Sequence, residues 1–589
     1  MSLYTDASLI MYPSGYKEDK IYSLKPTDGS GDLTFTRAST ATRVNADGLI
    51  ETSPVNLLQY SEDFSNAFYT KVEVSVTSNT TTAPNGTTTA DSLLDTATSN
   101  IHALTPLTSK AAEPTTFTFS VYAKFKDTNR KISLSFDDAV SGGCGSGAFN
   151  LVTGVYDTAI DTPGAGFTNP SRSFETLGNG WYRLIFTITS NSVGNIRTNI
   201  FVTDESNNVL YTGNGTGIYI WGAQLNIGST AKPYFPTTDR LNVPRIDYTG
   251  GGCGSLLLEK QSTNLALYSE QIDNAAYFKI NDGASSTPIV TANYSISPDG
   301  TQNADRVQFA RTGTSVGNYS IIGNSAAINL SSIGTFSVYL KSLTTTTQNV
   351  LIYWDGGAGV GNVYQVTTEW QRFELNNLPV STASFVIGTR GGSGSFINGG
   401  DLSLDIAVYG AQLESSSYPT SYIPTTSTAV TRLADAALTA SVPSLIGQTE
   451  GVLFVEMKRE SLSESFFVIL SYIAGTTAGS YGNSIYFYQL PNDIFVSDGY
   501  VSNDSQFGFS SAGLSIGTHK IAIAYKQNDF ALYIDGVLIG TDTSGTVPAM
   551  NFLTIAGGAD VLGHKNVLNQ VQLYKTRLSN AELATLTTL

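Results

Sequence analysis

The feature that most constrains how this 589-residue chain folds is a long internal repeat. Asn56-Leu57-Leu58-Gln59-Tyr60-Ser61-Glu62 returns 208 positions later as Asn264-Leu265-Ala266-Leu267-Tyr268-Ser269-Glu270. The same offset carries Arg37 to Arg245 and Leu49-Ile50-Glu51 to Leu257-Leu258-Glu259. With drift from loop insertions, Phe119–Lys124 matches Phe336–Lys341, and Trp181-Tyr182-Arg183 matches Trp370-Gln371-Arg372. Gly222-Ala223-Gln224-Leu225 matches Gly410-Ala411-Gln412-Leu413, and Tyr234–Thr238 matches Tyr422–Thr426. Solenoid units run roughly 20–50 residues. A unit of about 170–180 residues is long enough to own a core, so two copies of one domain stand in tandem.

The repeated segments read as strands. Thr116–Ala123 alternates polar and apolar residues, as do Lys131–Phe136 and Arg183–Thr189, the period of a sheet with one wet face. Gly, Asn and Pro clusters at short intervals separate them, which points to sandwiches or jelly rolls. Residues 433–589 are not a third copy. Val452–Met457, Phe466–Leu470, His519–Tyr525 and Phe530–Val537 read as strands, and Asp535-Gly536 is a tight-turn signal. Ser579-Asn580-Ala581-Glu582 has capping-box form, so a short helix is expected near the end. The expected fold is all-β: tandem jelly-roll or β-sandwich domains with short straps and a short C-terminal helix. Its parts are an N-terminal attachment segment and strap (1–55), a first module (56–244), a strap and second module (245–432), and a distinct sandwich (433–589).

Composition narrows the partners. Charged residues are only 14% of the chain, and 48 acids against 32 bases give a formal net charge of −16. No basic cluster exists to neutralise nucleic-acid phosphates or an anionic membrane. No apolar run reaches the roughly 18 residues that span a bilayer. The first residues lack a basic stretch followed by an apolar one, so folding in a cytoplasm is expected. Cys144 and Cys253 both sit in glycine-rich stretches and read as free thiols in loops; sequence leaves open whether they are bridged.

"FTRASTATRVNADGLIE" (35–51), "NLLQYSEDF" (56–64) and "YGAQLESSSYPTSYIPTTSTAVTR" (409–432) resemble bacteriophage tail and fibre sequences. Residues 33–432 as a whole resemble the carbohydrate-binding-module-like jelly rolls of virion proteins. "ALYIDGVLIG" (531–540) followed by "QLYKTRLSNAEL" (572–583) resembles a laminin-G/concanavalin-like sandwich. These resemblances imply a virion protein, most often trimeric, exposed on the particle surface. They imply attachment to other virion proteins through the N-terminal segment and multivalent contact with host glycans. Structural Ca²⁺ is common in the resembled jelly rolls. With no Asp-x-Asp-x-Asp-Gly loop, any such site would gather dispersed oxygens.

Glycan contacts pair an aromatic face with carboxylate or amide acceptors for sugar hydroxyls. Trp354 and Asp355 form one such pair. Asp498, Tyr500, Asn503 and Asp504 form a second polar group, which could also hold a hard cation. Trp181, Trp370 and Trp221 read as core residues. His102, His519 and His564 are scattered, with no zinc spacing, nucleophile elbow or phosphate loop nearby. The expectation is therefore a structural, non-enzymatic fibre or receptor-binding subunit. Its rivals are a collar, decorating or baseplate protein that meets only virion partners, and a glycan depolymerase.

Overall fold

The structure is a computed structural model that describes residues 3–13, 15–108, 115–138, 142–191, 195–315, 317–356, 360–392, 398–435, 438–460, 462, 466–473, 482–489, 494–555 and 565–589. The fold is all-β, in antiparallel sheets stacked as sandwiches, with two short α-helices among the described residues. It divides into two compact units, Ser53–Leu241 and a discontinuous one made of Met1–Thr52 and Asn242–Leu589.

Ser53–Leu241 is one sandwich. Thr115–Phe125 lies at the middle of a six-stranded sheet, between Trp181–Ser190 and Gly217–Ile227. The facing sheet is built around Lys131–Asp138 and Ile196–Thr203. Phe117, Phe119, Val121 and Ala123 point inward against Ile132, Leu134 and Phe136. The alternation thus sets the core face as read. The other face is not wet, however. Thr118 and Ser120 on it are 0% and 1% exposed. Thr118 Oγ1 donates to the Gly228 carbonyl at 2.8 Å, and Arg183 Nη2 donates to Ser120 Oγ at 3.1 Å. The chain's own tail, residues 232–238, lies across this face.

The repeated residues are those that tie the tail down. Asn56 Nδ2 donates to the carbonyls of Ala223 (3.0 Å) and Phe235 (3.1 Å), while its Oδ1 accepts from the N–H groups of Leu58 and Leu225. Gln224 Oε1 accepts from Phe235 N at 2.8 Å. The second module repeats each bond. Asn264 Nδ2 donates to Ala411 and Ile423 carbonyls, its Oδ1 accepts from Ala266 and Leu413, and Gln412 Oε1 accepts from Ile423 N. A buried amide that satisfies four backbone groups has no isosteric substitute, which explains its presence in both copies.

In the larger unit the second module pairs a sheet centred on Ser403–Glu414 with one centred on Phe385–Arg390, around a core of Phe336, Val338, Ile352, Trp354 and Ile406. The terminal sandwich has Glu450–Arg459 and Gly517–Lys526 in one sheet and Phe466–Ser471 with Ser484–Gln489 in the other. Asp535 (φ 50°) and Gly536 (φ 81°) make the expected turn between Phe530–Ile534 and Val537–Asp542. Asn580–Thr587 is the expected helix, and Ser579 and Glu582 form its capping box. The segment read as an attachment piece is built into this sandwich. Ala7–Met11 pairs with Asn566–Tyr574, burying Leu9 and Met11 in the core between the sheets. Cys144 is buried, Cys253 is exposed, and both are free.

Candidate glycan-contact surface

Trp354 does not offer a ring to solvent. It is 1% exposed, lies in the core of the second module, and its indole N–H donates to Ser381 Oγ at 2.9 Å. In its strand, Gln348–Trp354, Val350, Ile352 and Trp354 face the core, as Ile132, Leu134 and Phe136 do in the first module. Asp355, one residue on, is exposed, and its N–H donates to the Ser384 carbonyl. The expected pair is therefore split by strand geometry.

The second group is partly assembled. Phe495–Val501 runs antiparallel to Ser484–Gln489, with Tyr486 directly opposite Asp498. Ile485, Phe487 and Phe495 point into the core, so Tyr486, Asp498 and Tyr500 share the opposite face, where Tyr486 is buried and Asp498 and Tyr500 are half-buried. The rings of Tyr486 and Tyr500 lie parallel, 7° apart in plane with centroids 6.0 Å apart. Tyr488 extends the row at 5.8 Å from Tyr486. Tyr486 Oη donates to Asp498 Oδ2 at 3.1 Å. Burial raises the Asp498 carboxyl above the usual carboxylate range, against the pull of that hydrogen bond. Burial and the Asp498 charge drive the Tyr486 phenol far up, so it stays a donor.

A glycine shapes access to the second oxygen. Gly508 stands across the strand from Asp498 and is exposed. A Cβ on Gly508 would lie 3.0 Å from Asp498 Oδ1. Glycine thus leaves an acceptor uncovered beside a row of tyrosines, which is what a sugar with a polar edge and an apolar face requires. Past the end of this row, Asn503 sits in the turn after Val501, and Asp504 opens the next strand, paired with Val501. Asn503 Oδ1 accepts from Gly482 N at 2.8 Å and its N–H donates to the Gly482 carbonyl, so it braces the turn. Tyr486 and Tyr488 were missed from sequence, although "SIYFYQ" alternates and marks both as neighbours on one face.

The repeated acids serve the modules. Tyr234 Oη donates to Glu62 Oε1 at 3.2 Å, and Tyr409 and Tyr422 donate to Glu270 Oε1 at 3.0 and 3.1 Å. The loop carbonyls of Ser65 and Asn66, the kind of oxygens a cation would gather, receive Lys71 Nζ at 2.7 and 2.5 Å. Lys279 does the same to Asp273 and Asn274. Among the described residues no group of three or more His, Cys, Asp or Glu comes together.

The fold and this surface define a class, a multi-domain β-sandwich protein with an aromatic, acid-lined sheet face. No family model matches the sequence. No curated protein matches it either. Among solved structures, the chain is similar to the CBM40 module of the Ruminococcus gnavus IT-sialidase bound to α2,3-sialyllactose (14% identity, 26% of this chain and 88% of that one, TM-score 0.21). It is also similar to the tandem CBM22 domains of Paenibacillus barcinonensis Xyn10C (12% identity, 61% and 97%, TM-score 0.19). A third is the Trypanosoma rangeli sialidase (10% identity, 94% and 97%, TM-score 0.21). At such scores none bears on what this chain binds, and none comes from a bacteriophage. The expectation of a non-enzymatic chain is overturned by the third, an enzyme matched along nearly the whole length.

Proposed function

We propose that this chain is a glycan-binding protein whose terminal sandwich contacts sugar through Tyr488, Tyr500 and Asp498, with the buried Tyr486 bonded to Asp498 and parallel to Tyr500 beneath them. The observation that carries the reading is the parallel Tyr486–Tyr500 pair beside Asp498, whose second oxygen is left open by Gly508. Partly exposed tyrosine rings, here Tyr488 and Tyr500, take the apolar face of a pyranose, and the carboxylate accepts from its hydroxyls. Recognition of this kind is local and weak, and it gains strength when several copies act together. The resemblance of residues 33–432 to phage tail and fibre sequences supports placing those copies on a virion surface, as a fibre or receptor-binding subunit, trimeric in assembly.

Two substitutions test the site on the intact chain. Gly508→Val suits a strand and leaves every ring in place, yet covers Asp498 Oδ1. Tyr500→Ala removes half of the parallel pair. On a glycan array, each is expected to weaken binding about tenfold, the effect of losing about 1.4 kcal/mol, with an unchanged melting profile. Undiminished binding by both variants sinks the assignment.

A further inference from the structure

The first module brings together three groups that the second does not. Lys131 opens the strand Lys131–Asp138, opposite Thr203 at the end of Ile196–Thr203. It is 3% exposed, and its Nζ lies 2.7 Å from Asn207 Oδ1, 2.7 Å from Asp157 Oδ2 and 2.8 Å from the Glu205 carbonyl. The partners are held by contacts of their own. Asn207 stands in the turn after Thr203, with φ at 74° and its N–H donating to the Asp204 carbonyl at 3.1 Å. Asp157 N donates to the Ala148 carbonyl at 2.8 Å, and Asn150 Nδ2 donates to Asp157 Oδ2 at 3.1 Å. An amine, a side-chain amide and a carboxylate from three separate stretches thus converge.

The second module shows that the fold does not require them. Its core residues Val350, Ile352 and Trp354 match Ile132, Leu134 and Phe136, which places Asn349 where Lys131 stands. Asn349 meets a single acid. Its Nδ2 donates to Asp401 Oδ1 at 3.0 Å and its N–H to Asp401 Oδ2 at 2.8 Å. A neutral amide is enough at that position. The first module instead buries a strongly hydrated ammonium there, which costs desolvation, and sets it against an amide that an amine can attack.

We propose that Lys131 and Asn207 become joined by an isopeptide bond, with Asp157 carrying the proton. Asp157 takes a proton from the Lys131 ammonium, and the freed lone pair on Nζ attacks Asn207 Cγ. The Nζ–Cγ bond forms and the Cγ–Nδ2 bond breaks. Two protons leave Nζ in all. One passes through Asp157 to Nδ2, which departs as ammonia, and the other goes to water with the charge of the ammonium. The step is redox-neutral. In the resting pair the bond from Lys131 holds the Asp157 carboxyl below its ordinary range, so the first transfer is uphill and slow. Proximity offsets this, because groups held in contact react at effective concentrations far above any reached in solution. The product ties a strand start to a turn 76 positions later and restricts the unfolded chain as a disulfide does. The tie lies within the first module and stands whether or not the terminal sandwich binds sugar.

Mass spectrometry of the full-length native chain, held for several days at neutral pH, is the test. The expected result is an intact mass lower by one ammonia than the sequence gives. Tryptic digestion should then yield a branched peptide joining the segment that carries Lys131 to the one that carries Asn207. Lys131→Arg keeps the charge but cannot be acylated, and it should restore the sequence mass. Asp157→Ala should slow the loss of ammonia by about a hundredfold, the scale of a lost general base. Unlinked peptides at the full sequence mass overturn the proposal. Loss of ammonia without the branched peptide, the mark of a succinimide at an Asn-Gly step, overturns it as well. So does loss of water with Lys131 tied to Asp157.

Discussion

At the scale of single residues, the sharpest consequence concerns Glu270. Burial, and then the like charge of Asp299, push its carboxyl up to about 7, against hydrogen bonds from Tyr409 and Tyr422. In the unfolded chain the same group titrates near its ordinary value of about 4.3. Between those values the folded state holds a proton that the unfolded state has released. Stability therefore falls as pH rises from about 4.5 to 7 and levels off above. Exchange of amide hydrogens in 403–414 and 420–426 should accordingly speed up between pH 5 and 7, after correction for the intrinsic rate. Glu270→Gln should flatten that slope. A slope unchanged by the substitution would place the proton elsewhere. The sequence shows Glu62 and Glu270 as repeated, and the tail tyrosines bonded to them show that both serve the modules. What the sequence hid was depth. An acid in a repeat has the same letters whether it meets water or is buried.

Trp354 shows the same limit from the other side. An aromatic followed by an acid and glycines looks like a sugar platform, but a strand turns successive side chains to opposite faces, so Trp354 went inward and Asp355 outward. Register decides which face a residue takes, and register is set by pairing across the sheet. Asp498 and Tyr500 are two apart on one strand and share a face, so that part was legible. Their partner Tyr486 arrives from the neighbouring strand through a cross-strand pairing that no local motif announces.

At the scale of elements, local signals were read well where the chemistry is local. The Asp535-Gly536 turn and the Ser579–Glu582 cap each involve residues a few positions apart. The N-terminal strand is the opposite case. Ala7–Met11 finds its partner over 550 residues away, in Asn566–Tyr574. Read alone it looked like a tether. In the fold it supplies Leu9 and Met11 to one side of a sheet and Ile10 to the other, each 0% exposed. Full burial of an aliphatic side chain contributes about 1.5–3 kcal/mol. Deletion of residues 1–12 should therefore destabilise the terminal sandwich by several kcal/mol. Hydrogen exchange along 566–574 is the direct readout, and unchanged protection there would show the strand to be dispensable.

At the scale of the whole molecule, the straps that link the repeats meet in one buried ionic node of the larger unit. Arg37 and Arg245 are the repeated strap residues, and Arg432 follows the second module in the same context. Asp435 receives Arg37 Nη1 at 2.6 Å and Arg245 Nη2 at 2.5 Å, and Glu259 receives Arg245 Nη1 at 2.9 Å. Arg432 stands 3.6 Å from Glu259. All five side chains are at most 2% exposed. Burial alone would raise the two carboxyls, and Arg245 with its neighbours more than reverses that, holding both below the ordinary range. The low overall charge of the chain thus coexists with a few charges placed where segments hundreds of residues apart must find one register. Breaking a buried pair by removing one partner costs about 3–5 kcal/mol, because the other is left charged and dry. Asp435→Asn should cost that much in urea unfolding of the larger unit. With its carboxylate partner Asp435 lost, Arg37 then becomes a burden, so Arg37→Met should cost less in the Asp435→Asn background than in the native chain. The expected coupling is about 1–3 kcal/mol in the double-mutant cycle. Additive costs would mean that the straps are held by their apolar contacts and hydrogen bonds, with the charges as bystanders.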